Sequence, residues 1–330
     1  MNMADGDNAA QNSPDPKPSA GIQIIPGEMV ASIEEIVTID PNCYELDLNH
    51  RRIDKLENFE PLKQIERLYL RWNLIKKIEN LEMLKTLVEL ELYDNQITKI
   101  ENLHELTNLE ILDLSFNRLT KIENLDKLQK LEKVYFVSNK ITVIENVGML
   151  TSLTMLELGD NKLKKIEHLE TLVNLRELFL GKNKIAKIEN LDTLVNLEIL
   201  SLQANRIVKI ENLDKLVNLR ELYISENGIE NIENLSENKS LDTLDLAKNR
   251  LKAIGNLETL EQLEEIWLND NAIDNWKNLE VLKLNKALQT IYLEHNPVAT
   301  DVRYRSKLRD ILPQLKKIDA TLCVMPGAEA

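Results

Sequence analysis

Four histidines, two cysteines and 55 acidic side chains are the groups in this 330-residue chain whose types could do chemistry. His50, His104, His168 and His295 lie far apart. None has a second histidine, cysteine or carboxylate at the short paired spacing of a zinc site. Cys43 and Cys323 sit near opposite ends of the chain. Nucleophile-elbow, phosphate-loop and dinucleotide glycine motifs are absent, and nine glycines are too few for phosphate-cradling loops. The recurrent Glu-Asn pairs return every 22 residues, so they are repeat positions and not acid/base dyads. The reading is a non-enzyme with no metal and no cofactor.

What remains is recognition. The middle residues of the recurring L-x-L triplets run Asp47, Tyr69, Glu91, Asp113, Tyr135, Glu157, Phe179, Ser201, Tyr223, Asp245, Trp267 and Tyr292. Six are aromatic and five acidic, in a chain with only 4% aromatics, and none is lysine or arginine. Strand positions favour aromatics in general, but that does not explain the interleaved acids or the missing bases. Acid plus aromatic suits a protein-docking face for a basic, partly apolar partner. With strands about 4.8 Å apart, the row is on the order of 50 Å long.

The frame that must position this row is L-x-L-x-x-N-x-I-x-x-I-E-N-L-x-x-L-x-x-L. Its asparagines are Asn73, Asn95, Asn117, Asn139, Asn161, Asn183, Asn205, Asn227, Asn249 and Asn271, one every 22 residues, with Asn296 after 25. In Leu178-Phe179-Leu180 the leucines should face the core and Phe179 should face out. Ile185, Ile188, Leu191, Leu194 and Leu197 should complete one layer, which only stacked neighbours can bury. Asn183 should satisfy backbone groups at the exit turn, and Asn190 is expected to N-cap a short helical turn. The fold expected is α/β: a leucine-rich-repeat solenoid of about twelve 22-residue repeats. Its parallel sheet should lie on the concave face, with short helical turns on the convex face and a helical C-terminal cap.

Three segments follow from the pattern. Residues 1–40 read as a mostly disordered tail, 41–296 as the solenoid, and 297–330 as the cap and a short tail. The longer interval before Asn296 marks an insertion near Lys283-Leu284-Asn285. Tyr304, Leu308, Ile311 and Leu312 have helical spacing, Pro313 ends the helix, and Leu315, Ile318 and Leu322 continue the apolar pattern.

A formal net charge of -14 disfavours nucleic acid and anionic membrane as partners. No apolar run approaches membrane length, and the N-terminus lacks the basic and apolar regions of a signal peptide. With no cysteine framework, these features imply a reducing, intracellular compartment. The sequon Asn238-Lys239-Ser240 then reads as a chance match.

The strings L-Y-D-N-Q-I (92–97), L-G-K-N-K-I (180–185) and L-V-N-L-R-E-L-Y (216–223), and the ending Q-L-K-K-I-D-A-T (314–321), resemble the regulatory-subunit-7 family of protein phosphatase 1. The resemblance extends over about 42–322. It implies a non-catalytic regulator of the type 1 serine/threonine phosphatase catalytic subunit, with room for a further phosphatase inhibitor subunit. It implies control of maturation, location or substrate choice, notably in mitosis and chromosome segregation, within nucleus and cytoplasm. Carried over residue by residue, it points to Asp113, Glu157, Phe179, Asp245, Glu265, Trp267 and Tyr292. Tyr135 stands where the family commonly has Phe. Tyr223 joins the set from the row itself. The alternative from the frame alone is a cytoskeletal or ciliary scaffold for another basic partner. Lys133-Val134-Tyr135-Phe136 matches a short basic-Val-x-Phe docking motif, but the frame puts Val134 and Phe136 in the core.

Overall fold

The structure is a computed structural model and describes residues 40–323. The expectations for 1–39 and 324–330 lie outside the described residues. Each L-x-L triplet contributes a three-residue strand, from Glu45–Asp47 through Thr290–Tyr292, and neighbours pair in parallel. Two further short strands close the C-terminal end. Lys317–Ile318 runs parallel to Thr290–Tyr292, and Thr321–Leu322 turns back antiparallel. All fourteen strands among the described residues form one sheet in strict chain order. Register never slips: Leu178 faces Leu156 and Leu200, so each row position stands beside its counterpart.

The layer read from the sequence is the layer observed. Leu178, Leu180, Ile185, Ile188, Leu191, Leu194 and Leu197 are all at 0% exposure. Each such side chain contributes about 1.5–3 kcal/mol by leaving water. Because the same seven positions recur, one continuous core runs along the solenoid.

Asn183 does what the exit turn requires. Its amide nitrogen donates to the carbonyls of Leu158, Leu180 and Gly181. Its carbonyl oxygen accepts from the Leu163 backbone N–H at 2.9 Å. The pattern repeats at the other frame asparagines, so each repeat is tied to the one before it. The ladder ends at Asn296; beyond it Asp319, which follows Ile318 in register with Tyr292, accepts from the N–H groups of Leu293 and Glu294.

The Asn of E-N-L behaves differently from its expected role. Asn190 does not cap a helix. It sits at φ 60, in the left-handed region, and donates to Ile166 O, 24 residues back, at 2.7 Å. Asn is among the few residues that reach this conformation cheaply, which explains its recurrence here. His168 replaces it at φ 60, and its Nδ1 meets Ile144 O at 2.7 Å. The convex returns are also tighter than helices: Leu194 N–H bonds Leu191 O and Leu197 N–H bonds Leu194 O, single i→i+3 turns. A step of three residues from one buried leucine to the next leaves no length for an α-helical turn.

The insertion before Asn296 forms a three-ten helix, Trp276–Leu284. The cap helix spans Tyr304–Ile311 and stops before Pro313, as its spacing predicts. Leu322 departs from expectation. It lies on the last, antiparallel strand, with no layer beyond it among the described residues, and is 72% exposed. Asn238 is fully buried where the preceding repeat has Leu216, and donates to the carbonyls of Leu213 and Leu216. A glycan on that sequon would have no room.

A candidate protein-docking face

All twelve middle residues of the triplets project from the concave side, in register. They are less open than their sequence suggests. Tyr69, Tyr135, Phe179, Tyr223, Trp267 and Tyr292 are half-buried, and Glu91, Asp113 and Asp245 are buried. Neighbours about 4.8 Å apart on a curved sheet crowd one another. The short acids fold back on their own strand ends. Asp113 accepts from Ser115 N–H at 2.8 Å, Asp245 from Ala247 N–H at 2.9 Å, and Glu157 from Gly159 N–H at 2.7 Å. These carboxylates therefore support local structure as well as facing the groove.

Burial sets their electrostatics. Loss of water pushes Glu157 up to about 7, and the Gly159 N–H only partly opposes this. Glu91 is likewise raised by burial to about 7, against the pull of the Arg71 guanidinium that contacts it at 2.5 Å. Burial raises Asp113 and Asp245 as well. The Tyr135 hydroxyl is pushed up to about 12 by burial and then by Asp113. The face thus holds acids that a cation could ionise on arrival.

The structure brings the expected residues together most closely at the C-terminal end. Trp267 Nε1 donates to Glu265 Oε1 at 2.5 Å, and the Trp267 and Tyr292 rings meet edge to face with centroids 5.3 Å apart. Tyr223 OH donates to Glu221 Oε2 at 2.6 Å. Phe179 stands beside Glu157, and Asp245 lies between Tyr223 and Trp267. Asp113 and Tyr135 are neighbours near the middle of the row. Nine carboxylate and aromatic groups thus line one continuous strip, with no catalytic constellation among them.

Several participants were not read from the sequence. Lys317 enters from the cap and bonds the Tyr292 hydroxyl, with its Nζ 4.9 Å above the ring. Its triplet lacks the L-x-L signature, so the frame gave no signal. Glu221, like Glu265, occupies the first strand position, one column away from the row; a scan of that column would have found it. His295 Nδ1 lies 3.0 Å from Asp270 Oδ1, a pair in neighbouring repeats that linear spacing conceals. Among the described residues no three His, Cys, Asp or Glu side chains group as a metal site, and no helix is long and apolar enough to cross a membrane.

Val134 and Phe136 of the basic-Val-x-Phe string are at 0% exposure. Val134 pairs with Leu112 on one side and Leu156 on the other. Only Tyr135 of this string's apolar residues reaches the groove.

Comparison with known proteins agrees with this architecture. Protein phosphatase 1 regulatory subunit 7 of Xenopus tropicalis is 52% identical over 51 residues, 15% of either chain. The human protein of that name is 51% identical over 42 residues, 13% of this chain and 12% of its own. A Dictyostelium discoideum protein phosphatase 1 regulatory subunit is 45% identical over 40 residues, 12% of either chain. The resemblance to that regulatory family is borne out in these stretches, which are shorter than the 42–322 read from the strings and span no more than 15% of the relatives' length. An internalin of Listeria monocytogenes superposes with a TM-score of 0.69 at 25% identity, covering 85% of this chain and 87% of its own. A leucine-rich-repeat protein of Leptospira interrogans gives 0.65 at 25%, covering 78% and 73%. The model described as "Leucine Rich repeats (2 copies)" matches 85–127, 151–193, 173–215 and 195–237, and the one described as "Leucine-rich repeat" matches 222–323. Together they cover more than half of the chain, which belongs to the leucine-rich-repeat proteins.

Proposed function

We propose that this protein is a non-catalytic regulatory subunit that holds the catalytic subunit of type 1 serine/threonine protein phosphatase in its concave face. The observation that carries this reading is the acid–aromatic strip, interrupted only at Ser201 and ending in Glu265, Trp267 and Tyr292. The names of the partial relatives support it. The strip would act as a mould for a basic, partly apolar surface, steering the enzyme's maturation, location or substrate choice. Mitosis and chromosome segregation are the proposed setting, in nucleus and cytoplasm.

The test is a titration of purified catalytic subunit against Trp267→Ala. A half-buried ring fixed by a hydrogen bond from its own nitrogen matches the usual profile of a binding hot spot, and its loss should weaken binding by at least about 2 kcal/mol. The ring faces the groove and not the core, so thermal stability should change little. Unchanged affinity would sink the reading.

A further inference from the structure

Beside the concave strip, four rings form a second surface that the proposed function leaves unused. His50 and Trp72 stack with centroids 4.3 Å apart at 8°. Trp72 meets Tyr93 edge to face at 5.5 Å, and Tyr93 meets Phe116 at 4.8 Å. The ridge spans four successive repeats on the turn that leaves each strand. Trp72 is 41% exposed and Phe116 is 42% exposed.

These positions are costly for large rings. Trp72 and Phe116 stand at φ 54 and φ 53, because the fold needs a left-handed residue immediately before each frame asparagine. Other repeats place Asp94, Ser138 or Ala204 there. A bulky side chain in this region is an outlier of the kind that gathers at binding sites. Exposed rings here add nothing to the core.

The surroundings say what the rings would hold. Asp94 lies in the same column between Trp72 and Phe116, is exposed, and has no ion pair among the described residues. The fold already seats one cation on the ridge: the Arg71 guanidinium lies 5.8 Å from the Tyr93 ring centroid, anchored by Glu91. Among the described residues no cation lies over Trp72 or Phe116. Two exposed rings flanking an unpaired carboxylate, on a chain of net charge -14, complement a guanidinium set among apolar side chains. We propose that the Trp72–Phe116 ridge is a second docking site, and that its occupant is an extended, arginine-bearing segment of a protein partner. About seven strand steps, on the order of 33 Å, separate Phe116 from Trp267, so both sites can be filled at once.

The test uses the full chain and a fluorescein-labelled peptide A-L-R-V-A, with arginine-to-glutamine and arginine-to-lysine versions beside it. Binding is read by anisotropy at about 0.15 M ionic strength, where diffuse attraction to the acidic chain is screened. Trp72→Asn, Phe116→Asn and Asp94→Asn suit the left-handed backbone, so thermal melts should be unchanged or higher. Each should weaken the arginine peptide about fivefold or more. The lysine peptide should bind less tightly, the glutamine peptide should not bind, and Trp267→Ala should have no effect. Equal binding of the glutamine peptide, or indifference to all three variants, would overturn the proposal. So would a dimer in sedimentation that Trp72→Asn abolishes, which would make a second copy the occupant. Residues 1–39 carry an apolar pair, Ile24-Ile25, and peptide binding that appears only when both are changed to Asp would likewise overturn it, making this chain's own N-terminal segment the occupant.

Discussion

Glu157 shows how much one buried acid can carry. Burial holds its carboxyl near 7, against about 4.5 when unfolded. A carboxyl raised by folding favours the folded state only while protonated, so its contribution falls as pH rises from about 4.5 to about 7 and the penalty is full above that. Glu157→Gln should therefore raise stability at pH 8 by about 3 kcal/mol and change it little at pH 4. Urea unfolding of both proteins at the two pH values checks the sign. An equal difference at both would mean that ionisation plays no part. The row's composition was legible in the sequence because L-x-L fixes which residues face the groove. Its burial was not, because the sequence does not show that Asp113, Glu157 and Asp245 would bond their own strand ends. Lys317 was missed for the opposite reason: it comes from the cap, outside the frame.

At the scale of the strand, Lys133–Tyr135 and the following Phe136 divide stability from recognition. Phe136 is fully buried, and its replacement by Ala should cost about 3–5 kcal/mol. Tyr135 is half-buried in the groove, so Tyr135→Ala should weaken partner binding at near-normal stability. Thermal melts alongside binding assays separate the two. A Phe136→Ala protein that melts normally yet no longer binds would mean that the string itself docks. The strands and core were readable to the residue here, since period two and a 22-residue step leave one register. The convex side was less readable. An Asn before Leu suits both an N-cap and a left-handed turn, and only the bond from Asn190 to Ile166 O decides between them. That bond also predicts that Asn190→Val, which loses the donor and resists the left-handed backbone, lowers stability by about 2–3 kcal/mol in urea unfolding.

Over the whole molecule, charge should act on the approach of the partner more than on its departure. The chain carries -14 in all, while two of the groove's acids, Glu91 and Glu157, are partly neutralised by protonation near neutral pH. Surface charge is screened over about 8 Å at physiological ionic strength. Added salt should slow association with the proposed partner and leave dissociation nearly unchanged in stopped-flow measurements. An association rate indifferent to salt would show that the acidic field does no steering.

The invariant step has a further consequence. Every frame asparagine from Asn73 to Asn296 ties its repeat to the one before by the same kind of bonds in the same register, so the solenoid is a ruler with one graduation of about 4.8 Å. Removing the 22 residues from 162 to 183 would join Asn161 to Lys184 and leave every kind of bond in place. The shortened protein should still fold cooperatively, yet Asp113 and Trp267 would stand one graduation closer. A rigid partner that reads both marks at once would lose its grip on this ruler, while the arginine peptide, which reads only the first few, would not notice the change.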